Sequence, residues 1–117
     1  MERTMTQVLE EMRSYMQRMG EEYSREFGVF ATLKRRTEDE DGALPARIKK
    51  IIAIALAVAC GCEWCIALHT REALDAGATR EEIMEGCFIA LLMGGGPAVA
   101  HIQLVVRAID EWTAERG

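Results

Sequence analysis

Apolar positions recur at intervals of three and four residues along most of the chain, the period of a helix buried on one side. Met5, Val8, Met12, Met16 and Met19 form one such series, with Glu and Arg between them, and predict a helix over about Thr4 to Phe27. Methionine suits an adaptable packing surface, either in the core or against a neighbouring subunit, and core is the simpler reading. Lys34 to Gly42 (Lys-Arg-Arg-Thr-Glu-Asp-Glu-Asp-Gly) breaks the pattern with charge and turn residues. It reads as a solvated loop joining the first helix to the rest.

Pro45 stands where the first turn of a second helix would be, a position that tolerates its missing N–H. Ile48, Ile51, Ile52, Ala55, Leu56 and Ala59 predict one broad buried face, and Ala53, Ala57 and Val58 leave few polar positions after Lys50. A helix so nearly apolar all round is central to its fold or sealed by partner subunits. Gly61 ends or bends it. The next helix is expected from about Cys62 to Ala76, with Gly77 as its C-terminal cap. Thr79 and Glu82 have capping-box spacing and open another helix to about Met93. Gly94-Gly95-Gly96-Pro97 interrupts, and the last helix places Val99, Ile102, Val106, Ile109 and Trp112 on one side. No stretch alternates with period two over strand length, so the fold class is all-α.

The 117 residues have room for one domain, spanning 1–117, with an N-terminal helical segment at 1–33 and a core at 44–116. Fourteen basic and nineteen acidic residues give a net charge of −5, which disfavours nucleic-acid binding. The longest apolar run, Ile51 to Cys60, is ten residues, too short for a membrane span of roughly 20. The mixed charges of Met1 to Met5 do not resemble a secretory signal. A cytoplasmic location is expected, where four cysteines point to redox chemistry or metal rather than a disulfide framework.

The chemistry concentrates in Cys62-Glu63-Trp64-Cys65-Ile66-Ala67-Leu68-His69. On a helix, Cys62, Cys65 and His69 lie along one face. The two thiols can reach each other, a helix N-terminus stabilises a thiolate at Cys62, and His69 can carry its proton near neutral pH. These are the minimum parts for dithiol–disulfide exchange. Three other readings stay open on the residues alone: cysteines that merely pack with a structural His69, a metal site from Cys60, Cys62, Cys65 and His69, or a non-redox enzyme with His69 as general base. Structural zinc draws its ligand pairs from separated knuckles more than from one helix, which weighs against metal.

From Leu44 to about His101 the chain resembles the carboxymuconolactone decarboxylase superfamily, in its AhpD-like alkylhydroperoxidase branch. The residues that carry the resemblance are the apolar run from Ile51 to Ala59, the motif Cys62-x-x-Cys65-x-x-x-His69, the stretch Thr70 to Thr79, Glu81-Glu82-Ile83 and Gly94-Gly95-Gly96-Pro97-Ala98. The resemblance implies an AhpD-like helical bundle assembling as a homo-oligomer, a trimer or hexamer. It implies a cysteine pair, Cys62 and Cys65, that reduces peroxides or a peroxiredoxin partner, with His69 as proton relay and a lipoyl group or other dithiol as reductant. No cofactor and no metal are implied.

The AhpD-like pattern has a glutamate twelve residues before the first motif cysteine, where this chain has Lys50. A lysine beside thiols lowers a thiol pKa by charge but is no proton acceptor at neutral pH. Glu63 and Glu85 are the expected substitutes. Cys60 could resolve an oxidised thiol, though packing at the end of its helix is the favoured reading. Cys87 reads as core, His101 as a satisfied structural residue, and Trp64 as a cover for the site or an interface contact. Two further functions remain as alternatives: lactone decarboxylation, the chemistry that names the superfamily, and a non-catalytic redox-sensing module.

Overall fold

The computed structural model describes residues 2–115. Met1, Arg116 and Gly117 lie outside it, and with them the last residue of the expected core segment. Among the described residues the chain forms six α-helices, one short π-helical turn and no strand.

Helix α1 (Met5–Glu22) starts at a capping box in which the Thr4 side chain accepts from Gln7 N–H and the Gln7 side chain accepts from Thr4 N–H. It buries Met5, Val8, Leu9 and Met12, so the first half of the methionine stripe is core. The single helix expected to Phe27 divides instead at Tyr23 (φ −133°, ψ 54°), and α2 (Ser24–Lys34) sets off from there without a buried residue. The apolar period runs on through the break and gives no sign of it. Gly20 and Gly28 lower helix propensity on either side.

The expected loop after α2 is also different: Arg35–Asp39 continue as a π-helical turn, and only residues 40–45 are irregular. Pro45 stands at the N-cap of α3 (Ala46–Cys60), and Gly61 ends it in the left-handed region at φ 71°. Helix α4 (Glu63–Asp75) follows with Cys62 as its N-cap. The Thr79–Glu82 capping box opens α5 (Arg80–Gly94) as the spacing predicts, and Gly95 (φ 68°) turns the chain into α6 (Gly96–Glu115).

Helix α3 is central, packed against α4, α5 and α6. Its buried face is Lys50, Ile54, Ala57 and Val58, not the predicted series, and Ile52 and Leu56 are 44% and 61% exposed. A helix apolar on every side carries no phase in its sequence, which is why the face was misplaced. Gly86 lets α5 approach α3, since a Cβ there would lie 2.7 Å from Ile51 Cγ2. Ile66, Ala67, Ile83, Cys87, Val105, Ala108, Ile109 and Trp112 complete the core. Trp112 Nε1 donates to Thr6 Oγ1 at 2.9 Å and the Glu111 carboxylate accepts from Met5 N–H at 2.9 Å, tying α1 to α6. No helix among the described residues is long and apolar enough to cross a membrane.

Candidate active site

The turn between α3 and α4 builds the sulfur end of the site. Gly61 N–H bonds Val58 C=O at 3.3 Å and Cys62 N–H bonds Ala57 C=O at 3.0 Å, which satisfies the last carbonyls of α3 around a left-handed glycine. Cys62 then caps α4, its Sγ accepting from Cys65 N–H at 3.2 Å. The N-terminal groups of α4 therefore point at sulfur, the environment that stabilises a thiolate. Cys62 and Cys65 are joined as a disulfide with Cα atoms 5.2 Å apart. His69 lies one turn further along α4. A cavity of about 240 Å³ is lined by Cys62, Cys65 and His69 together with Ala53, Leu56, Ala57 and Cys60 of α3.

Behind the imidazole stands a carboxylate from the segment expected to be a solvated loop. Glu38, on the π-helical turn, is only 8% exposed, and its Oε2 lies 2.7 Å from His69 Nδ1. Burial raises the Glu38 pKa, but the bond from His69 and the charges of His69, Lys34 and Lys50 outweigh it, and the net shift is downward. An ionised carboxylate only accepts, so His69 Nδ1 carries the hydrogen and Nε2 is the nitrogen left for chemistry.

Neither substitute expected for the relay glutamate is there. Glu63 pairs with Arg3, and Glu85 lies exposed on α5. The Lys50 ammonium sits inside the carboxylate cluster, 2.5 Å from Asp39, 3.3 Å from Glu72 and 3.6 Å from Glu38. Lys34 reaches Glu72 at 2.6 Å and Asp39 at 2.9 Å. Burial lowers the pKa of both lysines and raises that of Asp39, and in each case the hydrogen-bonded partners outweigh it. Two ammonium groups thus face three carboxylates, and a proton on His69 brings the formal charge of the cluster to zero.

Other singled-out residues sort by contact. Trp64 Nε1 donates to Glu11 at 3.0 Å and its ring lies 5.7 Å from that of Tyr15, so it fastens the start of α4 to α1. Cys87 is core as expected, and burial pushes its thiol up to about 11. Cys60 is not packed away: it is exposed and borders the sulfur cavity. His101 Nδ1 bonds Pro97 C=O at 3.1 Å, a satisfied residue as expected. Donor atoms of Glu38, His69 and Glu72 lie within 4.8 Å of one another, a set that could hold a cation. The ammonium groups of Lys34 and Lys50 already bond Glu72 there, so an ion would have to displace them.

The family model for carboxymuconolactone decarboxylase matches residues 28–108, from within α2 into α6 and across every residue of the site. The chain belongs to the carboxymuconolactone decarboxylase family. A solved apo structure of a carboxymuconolactone decarboxylase family protein from Legionella pneumophila superposes with a TM-score of 0.87 at 31% identity, covering 92% of this chain and 95% of that one. An uncharacterized protein of Cupriavidus necator is 43% identical over 64% of this chain and 66% of its own length. An uncharacterized protein of the cox locus in Paracoccus denitrificans is 44% identical over 61% and 64%. The matched stretch thus spans just under two thirds of the length of either curated relative.

In this member of the carboxymuconolactone decarboxylase family, Glu38 and Glu72 were missed from the sequence. One signal could have pointed to the first of them. Lys50 stands at the head of an apolar run, and a lysine buried on the same helix as Ile54, Ala57 and Val58 demands carboxylate partners. The acidic run Glu38-Asp39-Glu40-Asp41 is the obvious source.

Proposed function

We propose that the protein is a thiol–disulfide oxidoreductase of the AhpD-like type, reducing organic hydroperoxides or a peroxiredoxin partner through Cys62 and Cys65. The observation that carries this reading is the 2.7 Å bond between His69 Nδ1 and Glu38, behind a cavity that His69 shares with both sulfurs. Cys65 is one helical turn from His69 and is the attacking thiol. His69 Nε2 takes its proton, and the thiolate attacks an oxygen of the hydroperoxide. The O–O bond breaks, the alcohol leaves with the proton His69 returns, and Cys65 becomes a sulfenic acid. Cys62, held toward the thiolate by Cys65 N–H at 3.2 Å, attacks Cys65 Sγ, releasing water and forming the disulfide. Two thiols lose two electrons and the peroxide gains them. An external dithiol, of lipoyl type or on a protein partner, reverses the oxidation.

Glu38 keeps the imidazole in the tautomer that presents Nε2 and stabilises the imidazolium between the two proton transfers, as a carboxylate does behind any relay histidine. It takes the place of the family glutamate, and Lys50 holds it. The protein works in the cytoplasm as a homo-oligomer, a trimer or hexamer. Val29, Phe30 and Leu33 on α2 and Phe88, Ile89, Leu92 and Met93 on α5 are all more than half exposed, an apolar surface that further copies would seal. Light scattering should report three or six chains, and a monomer at micromolar concentration overturns the assembly. For the chemistry, consumption of cumene hydroperoxide in the presence of dihydrolipoamide is the test. Cys62→Ser and Cys65→Ser should each abolish turnover, and unchanged turnover in both refutes the reading.

A further inference from the structure

Cys60 is the one exposed thiol that the mechanism leaves idle, and the fold puts it beside the reacting pair. It is the last residue of α3, Cys62 is the N-cap of α4, and Gly61 alone separates them. The distance between Cα atoms two apart depends on the conformation of the residue between. At φ 71° and ψ 36°, Gly61 is close to the mirror image of an α-helical residue. Helix geometry of 1.5 Å rise and 100° per residue on a 2.3 Å radius then sets that separation at about 5.4 Å. Disulfides bridge Cα atoms roughly 4.4–6.8 Å apart, so the Cys60–Gly61–Cys62 turn has the span of a second bridge. Both residues border the cavity that holds Cys65 and His69.

A base stands on the other side of the turn. Cys60 and Gly61 also border a second cavity, of about 210 Å³, with His101 and Pro97. Pro97 C=O only accepts, so His101 Nδ1 donates to it at 3.1 Å and Nε2 keeps a free lone pair. That nitrogen is against the turn: a Cβ built on Gly61 would be 3.2 Å from it. Glycine is required here twice, for the left-handed backbone and for the contact with His101.

We propose that Cys60 is a third exchanging thiol, which takes Cys62 from Cys65 and carries the oxidised bond to the exposed end of the site. This inference rests on Cys62 and Cys65 being the redox pair. His101 Nε2 accepts the Cys60 proton, and the Cys60 thiolate attacks Cys62 Sγ. The Cys60–Cys62 bond forms as the Cys62–Cys65 bond breaks, and Cys65 leaves with the electron pair, to be protonated by His69 or solvent. One disulfide replaces another with no net oxidation and no co-reactant. The oxidised protein thereby regains a Cys65 thiol beside His69, while the bond an incoming dithiol must cleave moves to the exposed Cys60.

The test uses the full chain oxidised with one equivalent of diamide, which imposes a disulfide whether or not peroxide is a substrate. After removal of the oxidant, free thiols are labelled with N-ethylmaleimide and mapped by peptide mass. The expected label divides between Cys60 and Cys65, and Cys60→Ser lowers the Cys65 label by about tenfold or more. Label on Cys60 with none on Cys65 overturns the proposal, as does label on Cys62, which would mean attack on the other sulfur. Cys65→Ser supplies a second arm: diamide should close a Cys60–Cys62 disulfide in it, and two free thiols there refute the bridge. Failure of the peroxidase reading would show separately, as wild-type protein that consumes no hydroperoxide.

Discussion

Replacing Glu38 by Gln removes one charge from the site and little else. The amide oxygen can still accept from His69 Nδ1, across a bond now 2.7 Å long, so the ring keeps its orientation. What is lost is the charge assistance. A hydrogen bond to an ionised partner contributes about 1.5–3 kcal/mol and a neutral one about 1 kcal/mol, and the carboxylate matters most when His69 carries the proton. A loss of about 1–2 kcal/mol of transition-state stabilisation corresponds to roughly a 5- to 30-fold fall in kcat/KM for hydroperoxide. Folding should suffer less, because Lys34 and Lys50 then face Asp39 and Glu72 in equal number. The assay is hydroperoxide consumption at saturating dithiol, with thermal melts run in parallel. A Glu38→Gln protein within about twofold of wild type in kcat/KM, under conditions where Cys65→Ser is inactive, refutes the relay role.

Three further outcomes follow from the same cluster and its surroundings. Lys50→Met leaves three carboxylates, of which Glu38 alone is buried, facing one ammonium and should destabilise by about 1–3 kcal/mol, a fall in Tm on the order of 5–15 °C; an unchanged melt would mean the cluster is solvated. Glu38 and Asp39 have folded pKa values below their ordinary 4.5 and 3.8, so their stabilisation is complete above those values and disappears as pH falls through the lower folded ones. Tm should therefore decline below about pH 4 and do so less steeply in Glu38→Gln, and parallel declines would contradict the assignment. Cys87, its thiol pushed up to about 11 by burial, should resist iodoacetamide at pH 8 while Cys60 labels, and equal labelling would contradict the packing described.

How much of this was legible before the structure depends on where the signal lies. Short-range chemistry read well: Gly61 at the end of α3, the Thr79–Glu82 box and the Cys62-Cys65-His69 spacing are each local, and each stands where expected. The break at Tyr23 and the phase of α3 did not read, the one because the apolar period crosses it, the other because the helix is apolar all round. Glu38 failed for a different reason. It meets His69 across 31 residues of chain, and a carboxylate in a charged run looks like any other until folding buries it. Cys60 was misjudged because the end of an apolar helix looks like core, whereas the left-handed turn at Gly61 leaves it facing a cavity.

In the proposed chemistry Cys62 and Cys65 form a peroxide-reducing pair served by His69 and Glu38. The most direct measurement is a single turnover: fully reduced protein is mixed with one equivalent of cumene hydroperoxide, quenched in acid within that turnover, and its thiols mapped by mass. The expected product is one disulfide per chain formed in step with cumyl alcohol, closed first between Cys62 and Cys65 and passing to Cys60–Cys62 only by later exchange, with Cys87 free throughout. Hydroperoxide that survives untouched, or is consumed while both motif thiols remain reduced, contradicts it.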